Sequence, residues 1–167
     1  QNIPQKLLEP FVKLISANPR SRPSPTKFIK EARAKGKYLQ NSFVDSNLFL
    51  DELAIKDSEE KAQFYKDLPG NIDRFPQQFC VHKYLPKLLE AFNFGGAGSE
   101  VLAPLFKIGK SLSHEEYQKT IVPCIIKLFS STDRGTRINL LQQLGNFIEF
   151  LSNDVINNQI FPHVATG

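Results

Sequence analysis

The chain has 167 residues, 41% of them hydrophobic, and 21 Lys and Arg against 17 Asp and Glu give a net charge of +4. That hydrophobic share excludes a disordered chain, no run approaches the ~18 apolar residues that span a membrane, and no signal peptide opens the sequence. Two lone cysteines, Cys80 and Cys124, make no disulfide framework, which points to the cytosol.

Charge is unevenly spread. From Gln1 to Gln40 nine cations face only Glu9 and Glu31, a net of +7, and the rest of the chain carries −3; such asymmetry marks a boundary. In chain order, Leu7, Leu8, Phe11, Leu14 and Ile15 recur at helical spacing and predict an amphipathic helix. The Pro-rich stretch Asn18 to Pro25 breaks it. Thr26 to Lys35 predicts a second short helix with Phe28 and Ile29 inward, stopped by Gly36. Between Ser42 and Ala54 the run Leu48, Phe49, Leu50 and Leu53 predicts a short helix capped by Ser46. From Asp57 onward the pattern is helical, and Asp57 with Glu60 forms an N-terminal capping box that Ser113 and Glu116 repeat. Phe64, Tyr65, Leu68, Ile72 and Phe75 share a face, although Pro69-Gly70 is expected to interrupt or kink that helix. No segment alternates with period two, so no sheet is expected.

An internal repeat sets the architecture. Tyr84-Leu85-Pro86, Ile121-Val122-Pro123 and Ile160-Phe161-Pro162 share an apolar-apolar-Pro core, with prolines 37 and 39 residues apart. Six positions before each Pro stands Cys80, Tyr117 or Ile156, and two positions after it Leu88, Ile125 or Val164. A second amphipathic helix follows each of the first two Pro-containing ones: Val101, Leu102, Leu105, Phe106, Gly109 and Leu112, then Ile138, Leu141, Leu144, Ile148 and Leu151. A helix pair repeating near ~40 residues predicts an all-α fold, a HEAT or armadillo-type α-solenoid of antiparallel helix pairs. One hairpin has too little partner surface for its apolar stripe, so stacked neighbours supply the core. The Pro is expected to kink the first helix of each pair. The absence of Met, together with an apolar pattern that stops within Gln159 to Gly167, reads as a piece of a longer protein.

No catalytic constellation emerges. Gly95-Gly96-Ala97-Gly98 follows a helix and leads to Ser99-Glu100, so it reads as a helix C-cap turn; a phosphate loop needs a preceding strand and a Lys-Ser/Thr pair. Cys80 and His82 are close, but zinc needs about four ligands, and Cys124, His114 and His163 are not at ligand spacing. Both cysteines fall on apolar faces as structural thiols. The carboxylate pairs Asp51-Glu52, Glu59-Glu60 and Glu115-Glu116 read as helix-start or polar-face residues. No metal, cofactor or small-molecule substrate is therefore expected. The basic stretch with Lys27, Lys30, Arg33 and Lys35, near Phe28 and Tyr38, is a candidate contact surface: a solvated helix face, or alternatively an RNA phosphate site.

Several segments resemble the Scy-like pseudokinase family of N-terminal kinase-like proteins over essentially the whole chain. Asn18-Pro19-Arg20-Ser21-Arg22-Pro23 is similar to the Pro/Arg signature near the end of a kinase C-lobe. Asn47-Leu48-Phe49-Leu50-Asp51-Glu52-Leu53, Phe79-Cys80-Val81-His82-Lys83, Leu105-Phe106-Lys107, Phe129-Ser130-Ser131-Thr132-Asp133-Arg134 and Gln159-Ile160-Phe161-Pro162-His163-Val164 resemble the family's repeat segments.

The resemblance implies residues 1–38 as the end of a kinase-like domain, with Arg22 in a structural role, and residues 39–167 as a HEAT-repeat solenoid incomplete at its C-terminus. The register is set by Pro86, Pro123 and Pro162. Asp133 with Arg137 resembles the Asp/Arg pair of HEAT repeats, while Gly96 and Glu100 stand at the equivalent offsets from Pro86. It also implies no enzyme activity, since the Gly-rich loop, strand lysine, His-Arg-Asp and Asp-Phe-Gly elements are absent from the chain. The implied role is a protein-binding scaffold in COPI-dependent Golgi-to-ER vesicle traffic. It would be cytoplasmic and peripheral to the Golgi and ER–Golgi intermediate compartment, with coat components or small-GTPase-linked factors as partners. The alternative is an RNA-binding module in tRNA export that uses the basic N-terminal segment.

Overall fold

The computed structural model describes residues 3–94 and 98–166. The described residues are helical with no strand, an all-α fold. The chain divides into two compact units, Gln1–Phe49 and Leu50–Gly167.

In the first unit, α1 (Gln5–Leu14) packs against α2 (Pro25–Ala32). Pro10 lies inside α1 and is buried, as is Ala32 on α2. Pro25 opens α2 where its missing N–H costs nothing, and the Ser24 hydroxyl accepts from the Lys27 amide to cap it. The chain leaves α2 through Gly36 at φ +80°, a left-handed turn that suits glycine. Phe28 is half-buried, but Ile29, expected inward, is 49% exposed. The helix is only two turns long, and Ala32 rather than Ile29 takes the packed side. Next comes α3 (Ser42–Asp51), which carries the chain across the boundary. Its cap is Asn41, whose side-chain oxygen accepts from the Val44 amide, and not Ser46. The helix starts one turn earlier than the apolar run suggested because a local Asx acceptor was in place to start it.

In the second unit, α4 (Ser58–Ile72) is opened by the Asp57–Glu60 capping box and buries Tyr65, Leu68 and Ile72. It runs through Pro69-Gly70 without the expected interruption. Proline removes one backbone bond near the end of the helix, and packing of α4 on α7 (Leu102–Gly109) outweighs that loss. A second helical run is composed of α5 (Gln77–Phe79), a π turn at Cys80–Tyr84, and α6 (Leu85–Asn93). Next to α7 in the chain is α8 (His114–Thr120), with the Ser113–Glu116 capping box. It leads into α9 (Val122–Phe129), which packs on α8 and on α10 (Arg134–Gln142). Short 3₁₀ turns at Leu144–Asn146 and Ile148–Phe150 follow. The chain ends with α11 (Asn153–Val155), a π turn at Ile156–Ile160, and α12 (Phe161–Ala165).

The core of this unit is a spine of large side chains: Tyr65, Leu68, Tyr84, Leu88, Leu102, Leu105, Phe106, Ile108, Tyr117, Phe129, Leu140 and Phe147 are all 2% exposed or less. Phe106 and Phe147 meet with ring centroids 4.8 Å apart, and Tyr117 stacks on Phe150 at 4.2 Å. Successive helices pair as neighbours, an arrangement compatible with a solenoid. The expected apolar face of α10 is corrected. Ile138, Leu141 and Ile148 are exposed, and Leu140 and Phe147 enter the core instead. The α-helix stops at Gln142 and tightens into 3₁₀ turns, so a single 3.6-residue period does not extend across the segment.

Candidate functional site

The three register prolines share one local setting. Pro86, Pro123 and Pro162 each sit at the start of a fresh helical turn, after a π turn for Pro86 and Pro162 and after Ile121 (φ −94°) for Pro123. A proline in a helix has no N–H and its ring crowds the carbonyl four residues back; the i→i+5 spacing of a π turn makes room for it. The prolines themselves are exposed, while the apolar residues at the shared offsets point inward. Cys80, Tyr84 and Leu88 are buried, as are Tyr117, Ile121 and Ile125. The third copy is only partly so: Ile160 is buried, but Val164 lies on the surface.

Burial pushes the thiols of Cys80 and Cys124 up from their ordinary value, the opposite of what a nucleophile needs. The Cys124 Sγ donates to the Thr120 carbonyl at 3.4 Å. Among the described residues no three His, Cys, Asp or Glu side chains gather as a metal site. Glu59-Glu60 and Glu115-Glu116 occupy first helical turns. Asp51-Glu52 lies at the end of α3, where Asp51 pairs with Lys83 and Glu52 with Lys56. Of the Gly-rich loop, Gly95, Gly96 and Ala97 lie outside the described residues.

Asp133 caps α10, accepting from the amides of Gly135 and Thr136 and from the Thr136 hydroxyl. Those hydrogen bonds, the Thr136 hydroxyl first, hold its carboxyl below the usual range, with a smaller contribution from the nearby Arg137 charge. In the first unit, the Arg22 Nε donates to the Ser16 carbonyl at 2.9 Å, and Arg33 pairs with Asp45 at 3.3 Å. Lys27, Lys30 and Lys35 are exposed and form no ion pair among the described residues. They share a stretch of surface with no partner that assigns them a task.

The second unit offers two other kinds of feature that the sequence reading missed. One is a series of polar clips between residues 34 to 40 positions apart, close to the repeat length. The Lys107 Nζ donates to Asp73 and to the Pro69 carbonyl, Lys110 to Asn146, and Asn139 to Ser99. Asn and Lys at repeat spacing were the available signal. The other is a groove lined by Arg134, Arg137, Ile138, Leu141, His163 and Val164. Assigning Ile138 and Leu141 to the core concealed it. Further large apolar side chains lie open on this unit at Ile55, Phe94 and Phe161. No described helix is long and apolar enough to cross a membrane.

No family model and no solved structure matches the chain. Among curated proteins, it is similar to the probable inactive serine/threonine-protein kinase scy1 of Dictyostelium discoideum, 41% identical over 165 residues, 99% of this chain and 20% of that protein. It is similar to SCY1-like protein 2 of Homo sapiens, 25% identical over 98% of this chain and 17% of that protein. The protein-associating with the carboxyl-terminal domain of ezrin, from Mus musculus, is 23% identical over 78% of this chain and 19% of its own length. The chain thus spans about a fifth of the length of these relatives. The first of these relatives is itself named a probable inactive kinase.

Proposed function

Because the chain is a Scy-like family segment along 99% of its length, we propose that it serves as a non-catalytic scaffold for protein–protein interaction in a pseudokinase of COPI-dependent Golgi-to-ER traffic. The observation that supports this most is the surface of the second unit: a well-packed helical core beneath exposed Ile55, Phe94, Ile138, Leu141 and Phe161. Scattered apolar residues are ordinary on a surface, but Ile138 and Leu141 meet Val164 in one groove, and apolar residues gathered in this way mark docking sites. A relative named for its association with the carboxyl-terminal domain of ezrin supports protein partners in the same way. In this reading residues 1–38 end a kinase-like domain, and residues 39–167 continue as HEAT repeats. The protein is cytoplasmic and peripheral to the Golgi and ER–Golgi intermediate compartment, and its partners are coat components or small-GTPase-linked factors. The test is retention of purified coat complexes and GTP-loaded small GTPases on the immobilised, folded chain. Specific retention is expected; a folded chain that retains neither class overturns the reading.

A second reading has its own support. Lys27, Lys30 and Lys35 are exposed cations without ion pairs among the described residues, an arrangement suited to RNA phosphates. It requires tRNA binding whose dependence on salt weakens when these lysines and Arg33 are neutralised. An unchanged salt dependence disposes of it.

A further inference from the structure

We infer that the groove of α10 and α12 is a docking site for an acidic amphipathic helix of a partner protein, an inference that rests on the scaffold reading and deepens it. The floor is apolar: Ile138 and Leu141 on α10 and Val164 on α12 are 46%, 43% and 38% exposed. Ile138 and Leu141 stand three residues apart on one helix face, a spacing that meets the i, i+3, i+4 anchors of an incoming helix. The rim carries the guanidinium groups of Arg134 and Arg137 beside the His163 imidazole, and among the described residues no carboxylate lines the groove.

The acid closest in the chain is already committed. Asp133 gives its oxygens to the amides of Gly135 and Thr136 and to the Thr136 hydroxyl as the helix cap, and its charge offsets only part of the two guanidinium groups, through Arg137. Neither Arg134 nor Arg137 forms an ion pair among the described residues. Guanidinium groups around an apolar floor select a segment with Leu or Phe anchors flanked by Glu or Asp, because Arg forks match carboxylates in two-point contacts. Like charges on a basic amphipathic helix would be repelled at the same rim.

The groove differs in this respect from the apolar hollow around Leu53, Ala54, Ala91 and Phe94. There the lining acids Asp51 and Glu90 are matched by the lining lysines Lys61 and Lys87, and no net charge selects a partner.

The experiment titrates the full 167-residue chain with a fluorescent helical peptide carrying a Leu stripe flanked by Glu, read by anisotropy. A peptide with the same stripe flanked by Lys is the control. Arg134→Glu with Arg137→Glu is expected to weaken the acidic peptide by roughly tenfold or more and to let the Lys-flanked peptide bind. Both substitutions put a carboxylate in the first turn of α10, which the helix dipole favours, so the fold survives them; circular dichroism checks this. Leu141→Ser, which trims the floor, is expected to weaken binding with the charges intact. Equal binding of both peptides, no saturable binding, or an equal loss from the distant Lys66→Glu overturns the proposal. So does a dimer in sedimentation that Leu141→Ser dissolves, since the occupant would then be a second copy. If the Arg134→Glu, Arg137→Glu chain still retains coat or GTPase partners, the scaffold reading stands and only the groove assignment falls.

Discussion

The Lys107 ammonium on α7 lies 2.7 Å from the Asp73 carboxylate, just past the end of α4, and 2.6 Å from the Pro69 carbonyl. A cation here satisfies a helix-end carbonyl and complements the negative end of the α4 dipole. Replacing Lys107 by Met keeps the aliphatic stem and removes the charge. A loss of about 1 kcal/mol is expected in urea unfolding. Asp73→Asn should cost less, because Asp73 is 70% exposed and the Pro69 contact persists.

Gly109 ends α7 against the ring of Tyr117. A Cβ added there would stand 3.0 Å from that ring and 3.5 Å from Ile121. Tyr117 is fully buried and stacked on Phe150, so it has no room to retreat. Gly109→Val is expected to destabilise by about 2 kcal/mol through overpacking. Gly70→Val, with open space around its added Cβ, is the comparison and should cost less.

The hydroxyls of Tyr65 and Tyr117 are buried without a protein hydrogen-bond partner among the described residues. Removing such a group relieves a desolvation cost, so Tyr65→Phe and Tyr117→Phe should leave stability unchanged or raise it by up to about 1 kcal/mol in thermal melts. Burial also pushes the Tyr65 hydroxyl up to about 12 from an ordinary 10.0. The folded chain holds the proton more tightly than the unfolded one. The associated stability is therefore intact below about pH 10 and is lost as pH rises toward about 12. Tyr65→Phe should flatten that alkaline limb.

Asp133 behaves in the opposite sense. Its carboxyl is held low by the amides and hydroxyl it accepts from, so its contribution is present above the ordinary carboxylate value and fades as pH falls through the lowered one. Asp133→Asn is expected to reduce the acid-side slope of the melting temperature, with a smaller difference in high salt because the site is exposed.

Local chemistry was legible in the sequence where a few neighbouring residues decide the outcome. Both capping boxes and the inward Tyr117, Ile121 and Ile125 form as their spacing dictates, whereas in the third copy Ile160 is buried and Val164 is not. Decisions made by distant partners were not. Pro69-Gly70 reads as an interruption or a kink, yet α4, packed on α7, continues through it to Ile72. Ile138 and Leu141 read as core because they are apolar, but Leu140 and Phe147 take the interior once the helix tightens after Gln142. The same misreading hid the groove, since its floor is built from residues assumed to be covered. Asn41 outcompeted Ser46 as a cap through a three-residue contact that the apolar run did not indicate.

The π turns before Pro86 and Pro162 bear on how the repeat keeps time. Buried residues fall every fourth position: Cys80, Tyr84 and Leu88, then Tyr117, Ile121, Ile125 and Phe129. On an ideal α-helix a spacing of four drifts by roughly 40° at each step, and such a ladder would walk around the cylinder and out of the core. A wider turn winds less per residue, so the π segment at Cys80–Tyr84 resets the phase and keeps the ladder of the first copy on one line. Proline then acts as a metronome: its ring excludes the tight turn, and the four-residue beat of the core is held by a residue that itself faces water.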